Sequence, residues 1–271
     1  MLNKTINTVL ISLIATLLVC KTASAEIIEV NFAYVGDKEH SALLGVKQGL
    51  EEANLQGQFL NQKYNLDLFA TKDALTHDFS DYIAVLTAVD IDNFQILAKS
   101  LSNTPVFNLS ISDDSIRAAC ADNTLHIIPS NRMAEDALSQ WQKKEADSNA
   151  KAQAWHADFV KFAARDLNKR FKKNHKVKMD DYSWSGWSAV KMTTDTVART
   201  QITNPEKMLN YLKSELSFDG QKGSNMNFRE TGQLRQLLLL IEDNKIVAEA
   251  PVRGIAKPPT LDSLGIINCK K

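Results

Sequence analysis

The chain has 271 residues, and its 32 basic and 32 acidic side chains give a formal net charge of +0. That balance implies neither a nucleic-acid partner nor attraction to an anionic membrane surface, since both are held by surplus positive charge. The length allows one large or two small domains with a real core.

Lys4, an apolar run from Val9 to Cys20 and the small residues Ala23-Ser24-Ala25 read as a secretory signal, residues 1–25, that is cleaved on export. The run falls short of the roughly 20 apolar residues of a membrane-spanning helix, and no later run is long enough to span. Removing it leaves 246 residues with a net charge of −2, a soluble exported product. Two cysteines remain, Cys120 and Cys269, in a compartment that permits disulfides. Their pairing is predicted, and closing so long a loop is worth about 4 to 5 kcal/mol on the chain-entropy account. Two free thiols are the alternative.

Ile27 to Asn54 reads as strand, turn and helix. Ile28, Val30, Phe32 and Tyr34 suit a strand, Gly36 stops it, and Ser41 is the predicted N-cap of the helix. Gln56 to Gln62 is a predicted polar turn. Further strands are predicted at Tyr64 to Ala70, Ala84 to Val89, Val106 to Leu109 and Leu125 to Ile128, with a helix from Ile91 to Leu101. Strands alternating with helices argue for an α/β fold, a parallel doubly wound sheet with helices on both faces. Ligands of such sheets collect beyond the carboxyl ends of the strands, which directs attention to the loop from Val35 to His40.

From Met133 to Arg199 strand signals vanish. Trp155, Phe159, Phe162, Leu167 and Phe171 form an apolar stripe at helical spacing, a second helix is predicted from Asp181 to about Thr200, and Pro205 opens a third behind an Asn204 cap. Leu237 to Ile241 and Ile246 to Ala250 flank a hairpin-like turn.

Elements of catalysis are sparse. There is no Gly-x-Ser-x-Gly elbow and no phosphate-binding loop, and the five histidines never fall at a metal-ligand spacing. The sequence therefore implies no enzyme, no cofactor and no metal. The pairs Asp113-Asp114, Asp90 with Asp92, and Asp180-Asp181 read as caps and turns. Eight basic residues between Lys161 and Lys178 face a single acid, Asp166. Lys169, Arg170, Lys172 and Lys173 at their centre are either a docking patch for an acidic partner or, more commonly for such runs, a solvated helical face. Tyr182, Trp184 and Trp187 either fill the core or stack on a planar ligand.

Several segments taken together resemble periplasmic substrate-binding proteins of ABC transporters, of the type I fold and of the branch associated with pyrroloquinoline quinone-dependent alcohol oxidation. They are Ala42 to Lys47 with Gln56 to Leu60; Asn108, Asp113 to Arg117 and Cys120; Leu125 to Ser130; Trp155-His156; Met179 to Tyr182 through Trp187 to Lys191; Gly232 to Gln236; and Leu261 to Gly265 before Cys269. The resemblance implies a two-lobed clamshell with residues 26–141 plus 228–271 as its α/β lobe. It departs at Gln142 to Ala150, a short polar stretch running directly into Trp155, so that residues 142–227 are expected to make a reduced, mainly helical second lobe. Two functions follow as expectations. One is a periplasmic solute-binding component, with Tyr34, Asp37, Asn108 and Ser110 nearest a small ligand and an ABC permease as partner. The other is a derived partner or assembly factor of a periplasmic quinoprotein dehydrogenase.

Overall fold

The computed structural model describes residues 27–265 and Cys269. The predicted signal, residues 1–25, lies outside them. Among the described residues no helix is long and apolar enough to cross a membrane.

Five parallel strands form the main sheet: β1 (Ile28–Gly36), β2 (Gln62–Phe69), β3 (Tyr82–Ala88), β4 (Val106–Asn108) and β5 (Thr124–His126), in the order β2-β1-β3-β4-β5. Strand β1, interior to the sheet, is buried from Phe32 to Gly36 without alternation, as a parallel strand covered on both faces must be. Val30, Phe32 and Tyr34 point to one apolar layer, and Ala33 and Val35 to the other, where Phe79, Val85 and Leu97 meet them. Helices α1 (Ser41–Leu60) and α2 (Thr71–Ala74) follow β1 and β2, α3 (Ile91–Ser100) follows β3, and α4 (Ser115–Ala118) precedes β5.

The predicted turn at Gln56 to Gln62 is instead the last turn of α1. The helix runs on because Gly57 can pass against the carbonyl of Gln62, and Asn61 ends it in a left-handed conformation, φ 52°. The N-cap is His40 rather than Ser41: its Nδ1 accepts the Ala42 amide at 3.2 Å, the task a shorter side chain usually performs. The acid pairs act as caps and turns in part: Asp113 accepts the Ser115 amide in a turn, Asp114 makes no cap bond to its own helix, and Asp181 accepts the distant Trp155 amide instead. Asp90 accepts from Asn93 at 2.9 Å, and Asp180 makes a reciprocal capping box with Ser183.

After β5 the chain enters α5 (Asn131–Gln142). Three residues of strand follow, β6 (Lys151–Gln153), where no strand was expected; β6 pairs antiparallel with β7 (Leu238–Glu242), which pairs with β8 (Lys245–Ala250). Asp243 and Asn244, both at positive φ, turn the predicted hairpin. This second sheet packs on α5 through Met133, Ala137, Trp141, Leu238 and Leu240.

The helical stretch between the sheets comprises α6 (Ala164–His175), α7 (Asp181–Thr200) and α8 (Pro205–Ser214). Trp155, Phe159 and Phe162 of the predicted stripe lie before α6 in irregular chain; the first two are buried, whereas Phe162 is exposed. Trp155 stacks on Trp184 with ring centroids 5.8 Å apart. Trp184, Trp187 and Val190 of α7 belong to the same apolar layer as Phe32, Val46 and Leu50, so these helices cover the five-stranded sheet beside α1. Of the aromatic cluster, Trp184 and Trp187 fill core, while Tyr182 stays partly exposed against the His40 ring.

Cys120 and Cys269 form the predicted disulfide, with Cα atoms 6.0 Å apart at a sequence separation of 149. It fastens Cys269 beside the end of α4. Cys120→Ala with Cys269→Ala is expected to lower the urea midpoint by the equivalent of about 2 to 5 kcal/mol. A midpoint unchanged from the oxidised protein would show that the crosslink adds nothing.

Candidate functional site

The strand order reverses between β1 and β3, and the crevice beyond the carboxyl ends at such a reversal is where open α/β sheets bind ligands. Four loops make that rim: Asp37 to His40 after β1, Val89-Asp90 after β3, Leu109 to Asp114 after β4, and Ile127 to Ser130 after β5.

The first loop passes close under β3. Gly36 has φ 149°, and a Cβ there would meet the Ala88 carbonyl oxygen at 2.5 Å. Tyr34 is fully buried and its hydroxyl donates to the Asp37 carbonyl at 3.1 Å, holding the loop from beneath. Burial, then the nearby Asp37 charge, raises its phenol above the ordinary range, so it serves as a neutral donor. Asp37 itself is exposed and accepts the Glu39 amide at 2.9 Å. His40 lies edge-on to Tyr182 at 5.0 Å; burial lowers its pKa, against the opposing pull of Asp180 and Asp37.

The β4 loop is closed by its own asparagine. Asn108 is buried; its Oδ1 accepts the Ser110 and Ile111 amides at 3.2 and 2.9 Å, and its Nδ2 donates to the Ile111 carbonyl at 2.8 Å. The same Nδ2 lies 3.1 Å from His126 Nδ1, which must therefore accept, leaving the ring proton on Nε2. Burial, then Arg117, drives the His126 pKa well below its usual value, in keeping with a neutral ring.

Arg117, buried like His126, fastens the third and fourth loops together. Its guanidinium donates to the carbonyls of Ile111 and Asp113, both at 2.7 Å, to Ile128 at 2.9 Å, and to Gln233 Oε1 at 2.8 Å. Burial pulls its pKa down to about 9, opposed by Asp114 and Asp113. The rim is thus preformed. Tyr34 with Asp37, and Asn108 with Ser110, form two pairs on the first and third of these loops. Within each pair one member, Tyr34 or Asn108, is turned inward to shape the loop. The other, Asp37 or Ser110, remains accessible.

Sequence reasoning placed His40 at the end of the first loop and Arg117, His126 and Gln233 in segments of the resemblance, but assigned none of them a role in the site. Arg117 sat next to an acid pair that read as a surface turn, and a lone arginine carries no sequence sign of burial. Among the described residues no group of three or more His, Cys, Asp or Glu side chains could hold a metal ion.

The basic run divides between two faces of α6. Arg170 turns to α1 and pairs with Glu52 at 2.9 Å, while Lys169 and Lys172 line a cavity of about 190 Å³ with Arg165 and Lys178. Lys173 is exposed and its carbonyl accepts from Lys176 at 2.6 Å.

No family model and no curated protein matches this sequence. Solved structures do match. A branched-chain amino acid ABC transporter periplasmic ligand-binding protein from Burkholderia xenovorans superposes with a TM-score of 0.69 at 12% identity, over 81% of this chain and 95% of that one. An amino acid ABC transporter substrate-binding protein from Pseudomonas fluorescens gives 0.67 at 9% identity, over 90% and 96%. A leucine-binding protein from Thermotoga maritima gives 0.60 at 9% identity, over 82% and 98%. With the parallel sheet and its flanking helices, these likenesses show that the chain has the type I periplasmic-binding-protein fold.

Proposed function

We propose that this chain is a non-enzymatic, periplasmic solute-binding component of an ABC transport system, exported by the signal at residues 1–25 and working with an ABC permease. The observation that carries the reading is the preformed rim at the strand reversal of a fold shared with ligand-binding proteins of such systems. Asp37 and Ser110 face the solute, while Tyr34 and Asn108 set the loops that present them. Its lobes are those that the sequence resemblance implies, residues 26–141 with 228–271 as the α/β lobe and residues 142–227 as a reduced, mainly helical second one. The sequence resemblance narrows the system to one tied to pyrroloquinoline quinone-dependent alcohol oxidation, and the leucine-binding neighbour adds branched-chain amino acids to the solutes worth offering.

Isothermal calorimetry with leucine, isoleucine, pyrroloquinoline quinone, methanol and short organic acids tests it. Saturable micromolar binding of one compound, weakened about tenfold by Asp37→Ala or Ser110→Ala, is the expected result. Silence across the panel would sink it.

A second reading, a partner or assembly factor of a periplasmic quinoprotein dehydrogenase, is favoured by one observation. The Tyr34 hydroxyl and the Asn108 amide are already satisfied by their own loops, which leaves few polar groups for a small solute. A stable complex with the dehydrogenase in sedimentation, together with silent calorimetry, would select it.

A further inference from the structure

The order β6-β7-β8 leaves β8 at a sheet edge, and an unpaired edge is a template for another strand. A groove of about 590 Å³ runs along this edge, lined by Ile246 to Glu249 of the strand itself. Trp141, at the end of α5, belongs to the apolar cluster on the Ala248 and Ala250 side of β8. Lys161, from the loop Phe159 to Lys161, reaches Glu249 Oε1 at 2.6 Å, and so approaches from the other side. The groove therefore straddles the edge rather than lying on one face. Val160 and Val247, 51% and 40% exposed, stand in it as uncovered apolar residues.

A second cavity, of about 190 Å³, shares Asp158 and Val160 with the first and is ringed by Arg165, Lys169, Lys172 and Lys178. Together the two are lined by seven cations, these four with Lys144, Lys161 and Arg253, against two carboxylates, Asp158 and Glu249. That excess is out of character for a chain whose charges balance overall. A second copy of this chain would bring the same positive surface against itself, whereas an acidic segment would be steered in and held.

We propose that this face docks an extended acidic segment of a partner protein, which adds to β8 as a fourth strand. Backbone pairing along Ile246 to Glu249 supplies the affinity, the alternate apolar side chains lie on the Trp141 side of the edge, and the acidic residues between them face the lysines and arginines on the Lys161 and Val160 side. The surface is separate from the rim at the strand reversal, and its use does not depend on whether that rim holds a solute.

The probe is a fluorescein-labelled peptide of alternating glutamate and valine, with glutamine-valine and lysine-valine peptides beside it, titrated into the purified protein by anisotropy. The glutamate peptide is expected to bind and to weaken as salt rises; hydrogen exchange at Ile246 to Glu249 is expected to slow on binding. Lys169→Glu with Lys172→Glu, and separately Val160→Asp, should each weaken binding about tenfold. Arg170→Glu, on the α1 side of the same helix, should leave it unchanged. All these side chains are exposed, and an unchanged thermal melt confirms that each variant folds. Equal binding of the glutamine peptide, unaltered exchange along β8, self-association through this face in sedimentation, or binding to anionic phosphatidylglycerol vesicles in place of the peptide would each overturn the proposal.

Discussion

Gly45→Ala and Gly186→Ala are each expected to lower the free energy of unfolding by about 1 to 3 kcal/mol, although alanine is the better helix former. Glycine inside a helix costs about 1 kcal/mol relative to alanine, so its presence in the middle of both α1 and α7 needs a compensating contact. That contact is backbone against backbone. A Cβ on Gly45 would overlap the carbonyl oxygen of Ser183, and one on Gly186 would overlap that of Ala42 and meet the Val46 amide nitrogen at 3.0 Å. Gly49, one turn further along α1, sits against Val190, where a Cβ would come within 2.9 Å. Neither carbonyl is the end of a flexible side chain, so the helices must separate. In doing so they open the layer in which Val46, Leu50, Trp187 and Val190 bury one another. Urea denaturation gives the measurement. Lys47→Ala, on the exposed side of α1, should stay within about 0.5 kcal/mol of the unsubstituted protein. The Gly45 and Gly186 substitutions combined should cost less than their sum, since both break one contact. Either single variant unfolding at the original midpoint would show that the close approach is dispensable.

The strand-turn-helix of β1 and α1 was legible because its residues say the same thing at each level: β-branched and aromatic side chains, a glycine stop, then apolar spacing. The hairpin of β7 and β8 and the Asn204-Pro205 start of α8 were legible for the same reason. What stayed hidden was whatever depends on a partner far away in sequence. Strand β6 has three residues, Lys151-Ala152-Gln153, too few to show a period, and it is a strand only because Leu239 to Ile241 lie alongside it. Gly57 looked like a turn because its reason for being glycine, the Gln62 carbonyl, lies beyond the helix end. At the candidate site the chemistry-bearing types were found, but the direction each side chain points was not. Asn108 and Asp37 are equally polar on paper, yet one is consumed by its own loop and the other is open. Arg117, Lys222 and Gln236 are types that populate surfaces, and each is almost wholly buried here. No pattern of neighbours in sequence announces that.

Lys222 gives the second large expected effect, a rise in stability with pH above neutrality that Lys222→Met abolishes. The residue is fully buried where the chain passes between the two sheets. Its Nζ donates to Gln236 Oε1 at 2.8 Å and to the Leu237 carbonyl at 3.1 Å, and stands 3.8 Å above the Trp184 ring. Gln236 in turn donates to the carbonyl of Ile127 at 2.5 Å, and Asp181 accepts the Trp155 amide at 2.7 Å. The exit after β5, the return after β6 and the entry to β7 thus meet around one ammonium and one carboxylate. Burial lowers the Lys222 pKa from 10.5 to about 7 despite the nearby Asp181. Burial raises Asp181 from 3.8 to about 6, against the Trp155 amide and Lys222 and with the help of Asp180. Between about pH 7 and 10.5 the unfolded chain holds a proton on Lys222 that the folded chain releases, so stability climbs with pH across that window. Between 3.8 and about 6 the folded chain is the one holding the extra proton, on Asp181, so there stability falls as pH rises. The pair therefore contributes a trough near neutrality, where Lys222 is charged while fully buried and Asp181 is charged while largely screened from solvent. Unfolding free energies at about pH 5, 7 and 9 should show the alkaline rise in the unsubstituted protein, on the order of a few kcal/mol, and its absence in Lys222→Met. Asp181→Asn should remove the acid limb and, by taking away the opposing charge, push the Lys222 pKa lower still. Hydrogen exchange localises the effect: the amides of Gln236 and Leu237 should open most readily near pH 7 and close as Lys222 loses its proton. Parallel pH profiles for the unsubstituted protein and Lys222→Met would mean that the buried ammonium is not what sets this dependence.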